Sequence, residues 1–453
     1  MKKPKNAKLI EGSVGKILFN LTIPMIFGML GMIIFNLVDT YFVGKLGTDE
    51  LAALSFTFPV VLVIHSLALG LGIGASAIIS RAIGEGNDEH VRRFTTDSLI
   101  LGLGTVLIFV IIGLATIEPL FTLLGASSDM LPLISDYMRI WYVGMIFVIV
   151  PMVGNNAIRA TGDMRTPALI MIIAAGVNTI LDYLLIFGIG PFPRLEIAGA
   201  ALATVIGRAI TFTLATYILI HREKMVSFAR TSFKQIWTTW RKVLYIGLPM
   251  AGTRIIIPIG MGIITRMLAM YGKEFVAAFG VSTRIEFFAM SVLAALSTVL
   301  GPFIGQNLGA GKFDRIKKGV EISNQFAVLY GLIMVVLFML SSRFLAGLFN
   351  DNVVVQQTIV MYLGIVSIGY GFHGMLLLSV SALNVLHKPI HAALLSLFQM
   401  FVLFVPMAIA GSHFFGVKGI FGALALAYIF SGLGGRWVLS GMIKKLSHSE
   451  FIK

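Results

Sequence analysis

The chain contains no cysteine. That excludes disulfides, thiolate metal centres and cysteine nucleophiles. Charge is scarce: 12% of the 453 residues are Asp, Glu, Lys or Arg, about half the roughly 25% of a soluble domain. A chain this long with so little charge has no means of covering a water-facing surface, so lipid must solvate it. Soluble enzymes, nucleic-acid binders and disordered chains are excluded on this ground. No G-x-x-x-x-G-K-[ST] stretch occurs, so the energy for any work comes from an ion gradient and not from nucleotide hydrolysis. No Ser/His/Asp or metalloprotease arrangement is visible, and neither enzyme activity nor a resident cofactor is expected. No A-x-A-like cleavage site follows the basic opening MKKPKNAKLIEGSVGK, which reads as the lead-in to a retained first span.

What is present is hydrophobic length. Hydrophobic residues make up 57% of the chain, gathered in runs long enough to cross a bilayer as helices. Twelve such runs are expected, at 17–40, 51–80, 94–117, 137–160, 167–189, 196–220, 243–270, 276–306, 318–341, 358–383, 389–411 and 419–442. Lys and Arg fall on alternate sides of these runs at roughly four to one. This bias places both termini of a multi-pass protein in the cytoplasm, and the all-helical design with a retained first span suits a prokaryotic inner (plasma) membrane.

The polar stretch 221–242 separates an N-terminal lobe, 1–220, from a C-terminal lobe, 243–453, each with six spans. The lobes are internal repeats. Pro24 in LTIPM aligns with Pro249 in IGLPM, GTDELAAL with GKEFVAAF, and RAIGEGNDEHVRR with QNLGAGKFDRIKK, all at an offset of about 225 residues. Later blocks drift to about 223. Two parallel six-helix repeats in a membrane point to a transporter whose bundles move against each other.

The repeat also acts as an internal control on polar residues. A carboxylate within a span is costly and marks function by default. Asp39 and Asn36 align with Ile264 and Met261, Asp182 and Asn178 with Val405 and Phe401, and Thr204 with Ala427. Only the first repeat carries the polar set. Asn36 and Asp39 share one helix face at i, i+3, and Asn178 and Asp182 another at i, i+4. Their oxygens suit a hard cation such as Na⁺, and the same carboxyl pair can hold a proton instead. The residues alone leave that choice open.

In the second repeat, Arg254 and Glu286 reach similar depth on adjacent spans, so a salt bridge between them is expected. Arg284 faces elsewhere, and His373 is either a packed core residue or a proton or substrate contact. Pro24 removes a backbone hydrogen bond inside the first span, making it a candidate hinge that moves Asp39.

These residues resemble the multidrug and toxic compound extrusion (MATE) family over nearly the whole chain. The most specific stretch is LTIPMIFGMLGMIIFNLVDTYFVGKLGTDELAAL, supported by RAIGEGNDEHVRR, NNAIRATGDMRTP and GVNTILDYLLIFG. The text looks most like the DinF-like branch. That resemblance implies an all-α fold of twelve transmembrane helices in two six-helix bundles set in a V. It implies a cation site at Asp39, Asn178 and Asp182, with Asn155 and Thr204 completing it. It implies, for a monomer among membrane lipids, export of drugs or other organic cations in exchange for H⁺ or Na⁺. The NorM-like branch carries a glutamate where this chain has Ile257 and an aspartate where it has His373, so no cation site is expected in the C-terminal lobe. The alternative function is flipping of a lipid-linked oligosaccharide, for which Arg254, Arg266 and Arg284 would supply positive charge.

Overall fold

The computed structural model describes residues 7–229, 231–349 and 351–450. Among these the regular structure is helical. The elements are α1 (Val14–Gly44), α2 (Thr48–Gly84), α3 (Asp88–Leu123), α4 (Leu131–Val143), α5 (Ile146–Ala160), α6 (Arg165–Phe187), α7 (Glu196–Tyr217), α8 (Phe233–Ala269), α9 (Lys273–Gly309), α10 (Phe313–Phe349), α11 (Val353–Val366), α12 (Tyr370–Val385), α13 (Pro389–Leu397) and α14 (Val405–Glu450). Wider π-type turns at Ile218–Arg222 and Phe398–Phe404 extend α7 and join α13 to α14.

Several of these elements combine into single crossings. Helices α4 and α5 pass together with a bend of 45° between them. Helices α11 and α12 run through a short 3-10 segment, Ser367–Gly369. The stretch beginning at α13 breaks inside α14 at Gly416, where φ is 59° and ψ is −140°. Those angles need a residue without a side chain, and the break yields two spans. Twelve crossings result. Helices such as α2, α9 and α10 have 37 residues each, about 55 Å at 1.5 Å per residue, so they outrun the hydrocarbon layer. In that layer the helix is the form that satisfies every backbone group within its own segment, which is why apolar length alone specifies it.

The helices sort into two compact units, one built on Ile23–Ala251 and the other on Leu9–Thr22 with Gly252–Lys453. This division differs from the repeat boundary. The start of α1 belongs with the second unit, where Leu9 N–H donates to Gln306 Oε1 (3.1 Å), Asn307 Nδ2 to the Leu9 carbonyl (3.2 Å), and Arg315 Nη1 to the Gly12 carbonyl (2.8 Å). The start of α8 belongs with the first unit, where Trp240 Nε1 donates to the Asp97 carbonyl (2.9 Å) and Arg93 Nη2 to the Gln235 carbonyl (3.0 Å). Helix α1 changes unit between Thr22 and Ile23, beside Pro24, and α8 between Ala251 and Gly252, just after Pro249.

Within the first unit, α2 packs on α3 and α5, and α7 on α4, α5 and α6. Within the second, α12 is central, against α9, α10, α13 and α14, and α11 packs on α9 and α10. Large apolar side chains on the outer helix faces, among them Ile111, Leu340 and Phe398, are exposed, as a lipid-facing surface requires.

Candidate functional site

Helix α1 reaches the first unit's polar cluster along α6. The close approach is possible because Gly28 has no side chain: a Cβ there would stand 3.0 Å from the Ala168 Cα. About three turns farther along the same helix lies Asp39. Its Oδ1 is buried, and its carboxyl lies within electrostatic reach of the Asp182 carboxyl on α6. Asp182 is fully buried and Asn178, one turn earlier, is almost so.

Helix α7 closes the cluster. A Cβ at Gly207 would lie 3.1 Å from Asn178 Cβ and 3.2 Å from the Ala174 carbonyl oxygen. The bare backbone there lets α7 seat itself on α6. Asn178 Nδ2 then donates to Thr204 Oγ1 at 3.4 Å. A small cavity of about 10 Å³ adjoins this pair, with Met32, Phe35 and Arg208 in its wall. That is about the space one water needs.

The arrangement is rich in acceptors and poor in donors. Asp39 Oδ1, both Asp182 oxygens and Asn178 Oδ1 are buried without a hydrogen-bond donor among the described residues. Buried acceptors left this way cost about 1–3 kcal/mol each, and a cation in their midst removes that cost. The ligand atoms on hand, two carboxylates with amide and hydroxyl oxygens, fit a hard ion or a proton and not a soft metal. No group of three or more His, Cys, Asp or Glu suited to a metal occurs among the described residues.

Four of the sequence-derived residues therefore meet: Asp39, Asp182, Asn178 and Thr204. Asn155, on α5, is buried with its Oδ1 also lacking a donor, and no hydrogen bond joins it to the others among the described residues. The Asn36 side chain lies outside the described residues. Sequence reasoning missed Tyr137 on α4, which is buried and within electrostatic reach of both Asp39 and Asp182. Its only sequence signal was a tyrosine in the short polar run SDYMRIWYV, two residues after Ser135.

In the second unit the expected Arg254–Glu286 bridge is absent. Glu286 is buried on α9 and accepts hydrogen bonds from the Tyr362 and Tyr428 hydroxyls, the latter at 2.6 Å. Arg254 is exposed on α8. Equal depth does not make two side chains meet. Glu286 turns inward toward α11 and α14, whereas the Arg254 side chain stays exposed. Arg284 is exposed, two residues from Glu286 and on the opposite face of α9. His373 stacks on Tyr428 with ring centroids 4.2 Å apart, and its Nδ1 meets Gln399 Nε2 at 3.1 Å. It is a packed member of the same cluster.

Comparison with known proteins decides the family. The MatE family model matches residues 24–184 and 249–410, one match per repeat. The chain belongs to the MATE family of transporters. It is 40% identical over 425 residues to the FAD transporter of Shewanella oneidensis, covering 94% of each chain. It is 27% identical to the multidrug export protein MepA of Staphylococcus haemolyticus, over 92% of this chain and 91% of that one. Among solved structures, the Vibrio cholerae MATE transporter VcmN in its bent form superposes with a TM-score of 0.90 at 30% identity, covering 95% of this chain and 97% of that one. An outward-facing multidrug resistance MATE transporter of the MOP superfamily gives 0.89 at 25% identity over 98% and 100%. Like its relatives, this MATE chain is a multi-pass membrane transporter for small molecules and not an enzyme.

Proposed function

We propose that this transporter is an antiporter that exports organic molecules in exchange for H⁺ or Na⁺ taken up at Asp39 and Asp182. The observation that carries the proposal is the neighbouring carboxyl pair, Asp182 fully buried, with four buried acceptor oxygens of the cluster lacking donors. Two carboxylates this close in a low-dielectric site cannot both remain charged without a cation between them. Ion binding neutralises the pair and release restores the repulsion. Ion occupancy then favours one arrangement of α1 against α6 over another, which is what coupling requires. Pro24 lies where α1 changes unit and supplies the flexible point. The Lys/Arg bias supports cytoplasmic placement of both ends, and kinship with bacterial MATE transporters supports a plasma-membrane location.

Two readings of the cargo remain distinct. The drug exporters among the relatives support lipophilic organic cations. The wide identity margin of the FAD transporter, 40% against 27% for MepA, supports a flavin dinucleotide. Arg254 and Arg284 favour the second. Both are exposed within spans, and an arginine there must face a polar space and not hydrocarbon, where it would receive a diphosphate.

Proteoliposomes given ΔpH or ΔNa⁺ separately, and offered FAD or ethidium, test the proposal. One gradient should drive accumulation of one cargo. Asp39→Asn and Asp182→Asn should each abolish that movement at unchanged protein content. Full gradient-driven transport by either variant would refute the ion assignment, and transport of a lipid diphosphate in place of both cargoes would favour the flippase reading.

A further inference from the structure

One face of α10 in the second unit changes character along its length. Glu321, Asn324, Gln325, Val328, Leu329 and Leu332 follow one another at i, i+3, i+4, i+7, i+8 and i+11, and together with Arg436 of α14 they line a groove of about 410 Å³. The first turn and a half is polar and the rest apolar, over about 16 Å of rise. Glu321, Gln325 and Arg436 are exposed, and Glu321 and Arg436 form no salt bridge among the described residues. Trp437, beside Arg436, is 78% exposed, as aromatic residues at a membrane boundary are. At the wall of the groove, Asn324 is 4% exposed and its Oδ1 has no donor.

We infer that this groove binds a phospholipid with a primary ammonium headgroup, phosphatidylethanolamine, in the leaflet that receives the first turns of α10. Three features select that chemistry. A guanidinium and a carboxylate in one groove match the phosphate and ammonium of a zwitterion, whereas the carboxylate repels a headgroup carrying net negative charge. The donor-less Asn324 Oδ1 requires an N–H, which ethanolamine supplies and choline does not. The apolar continuation over Val328, Leu329 and Leu332 runs in the direction an acyl chain would take.

The other repeat provides the contrast. The offsets of 225 and 223 map Glu321, Asn324, Gln325 and Arg436 onto Thr96, Leu99, Ile100 and Thr213. No charge remains there, so the groove is specific to the second unit and is not a by-product of duplication. The inference is independent of the ion and cargo assignments.

Native mass spectrometry of the delipidated full chain tests it, with phosphatidylethanolamine, its N,N-dimethyl derivative, phosphatidylcholine and phosphatidylglycerol of identical acyl chains. Retention should fall as the ammonium is methylated, with phosphatidylethanolamine held about tenfold better than phosphatidylcholine, as loss of one charge-assisted hydrogen bond predicts. Glu321→Gln and Arg436→Gln alter exposed side chains that form no salt bridge among the described residues; the first should erase the preference, and the second should lower retention of phosphatidylethanolamine and phosphatidylcholine alike. Equal retention across the methylation series, stronger retention of phosphatidylglycerol, an unchanged preference in Glu321→Gln, or unchanged retention in Arg436→Gln would overturn the inference.

Discussion

Replacing Glu286 by leucine removes one carboxyl from inside the second unit and leaves two hydroxyls behind. Tyr362 is fully buried and Tyr428 is 9% exposed, so neither finds water readily once its acceptor has gone. A buried donor without a partner costs about 1–3 kcal/mol, so Glu286→Leu should destabilise the unit by about 2–6 kcal/mol before the saving on the carboxyl's own desolvation. The cycle is completed by Tyr362→Phe and Tyr428→Phe. These keep the rings, including the stack of Tyr428 on His373, and delete only the hydroxyls. In the triple variant all three polar groups are gone, and an apolar replacement of a whole buried network is about neutral or stabilising by ~1–4 kcal/mol. The triple variant should therefore regain the stability that the single variant loses. Thermal unfolding in nanodiscs, followed through the four tryptophans, reads both quantities. If Glu286→Leu unfolds at the parent temperature, or if the triple variant is no more stable than the single one, the hydrogen-bonded cage described here is not what holds Glu286.

Gly207→Val would force the α6–α7 contact apart against the Ala174 carbonyl and Asn178. Overpacking of this kind costs about 1–3 kcal/mol, and the Asn178–Thr204 bond, at 3.4 Å, is long enough to break. Coupled transport should fall severalfold while membrane insertion persists; unchanged transport would show that the contact does not set the site. A third prediction concerns Asp163, in the turn between α5 and α6. Burial pushes its carboxyl up, but hydrogen bonds from the Thr166 hydroxyl and amide, and the Arg222 guanidinium, outweigh this and hold it below the ordinary 3.8. Its contribution is therefore complete above pH 3.8 and lost as pH falls through the lowered value. Asp163→Asn should cost about 1 kcal/mol near neutrality and remove that acid-side loss, which unfolding curves from pH 2 to 7 would reveal.

The twelve crossings were legible because uninterrupted apolar length has one solution in lipid. The bend between α4 and α5 and the break at Gly416 were not, since a span of normal length hides both. Asp39, Asp182, Asn178 and Thr204 were legible for a different reason. A carboxylate in an apolar run stands out, and the second repeat showed which polar residues the scaffold does without. Tyr137 escaped because a tyrosine is ordinary in any core, and only the fold brings this α4 side chain within electrostatic reach of Asp39 and Asp182. The Arg254–Glu286 pair failed because position along a chain fixes depth but not the direction in which a helix presents a side chain. The tyrosine cage around Glu286 draws on α11 and α14, some 76 and 142 residues away, a separation that no local pattern encodes.

The bonds from Leu9 to Gln306 and Arg315 join residues 297 and 306 positions apart. The stretch Leu9–Thr22 thus belongs with a part synthesised some 300 residues after it. During biogenesis Leu9–Thr22 must wait, already threaded into the bilayer, until those partners emerge. Contacts of such long range close slowly. Assembly of the second unit therefore depends on Leu9–Thr22 staying unattached while about 300 further residues are made.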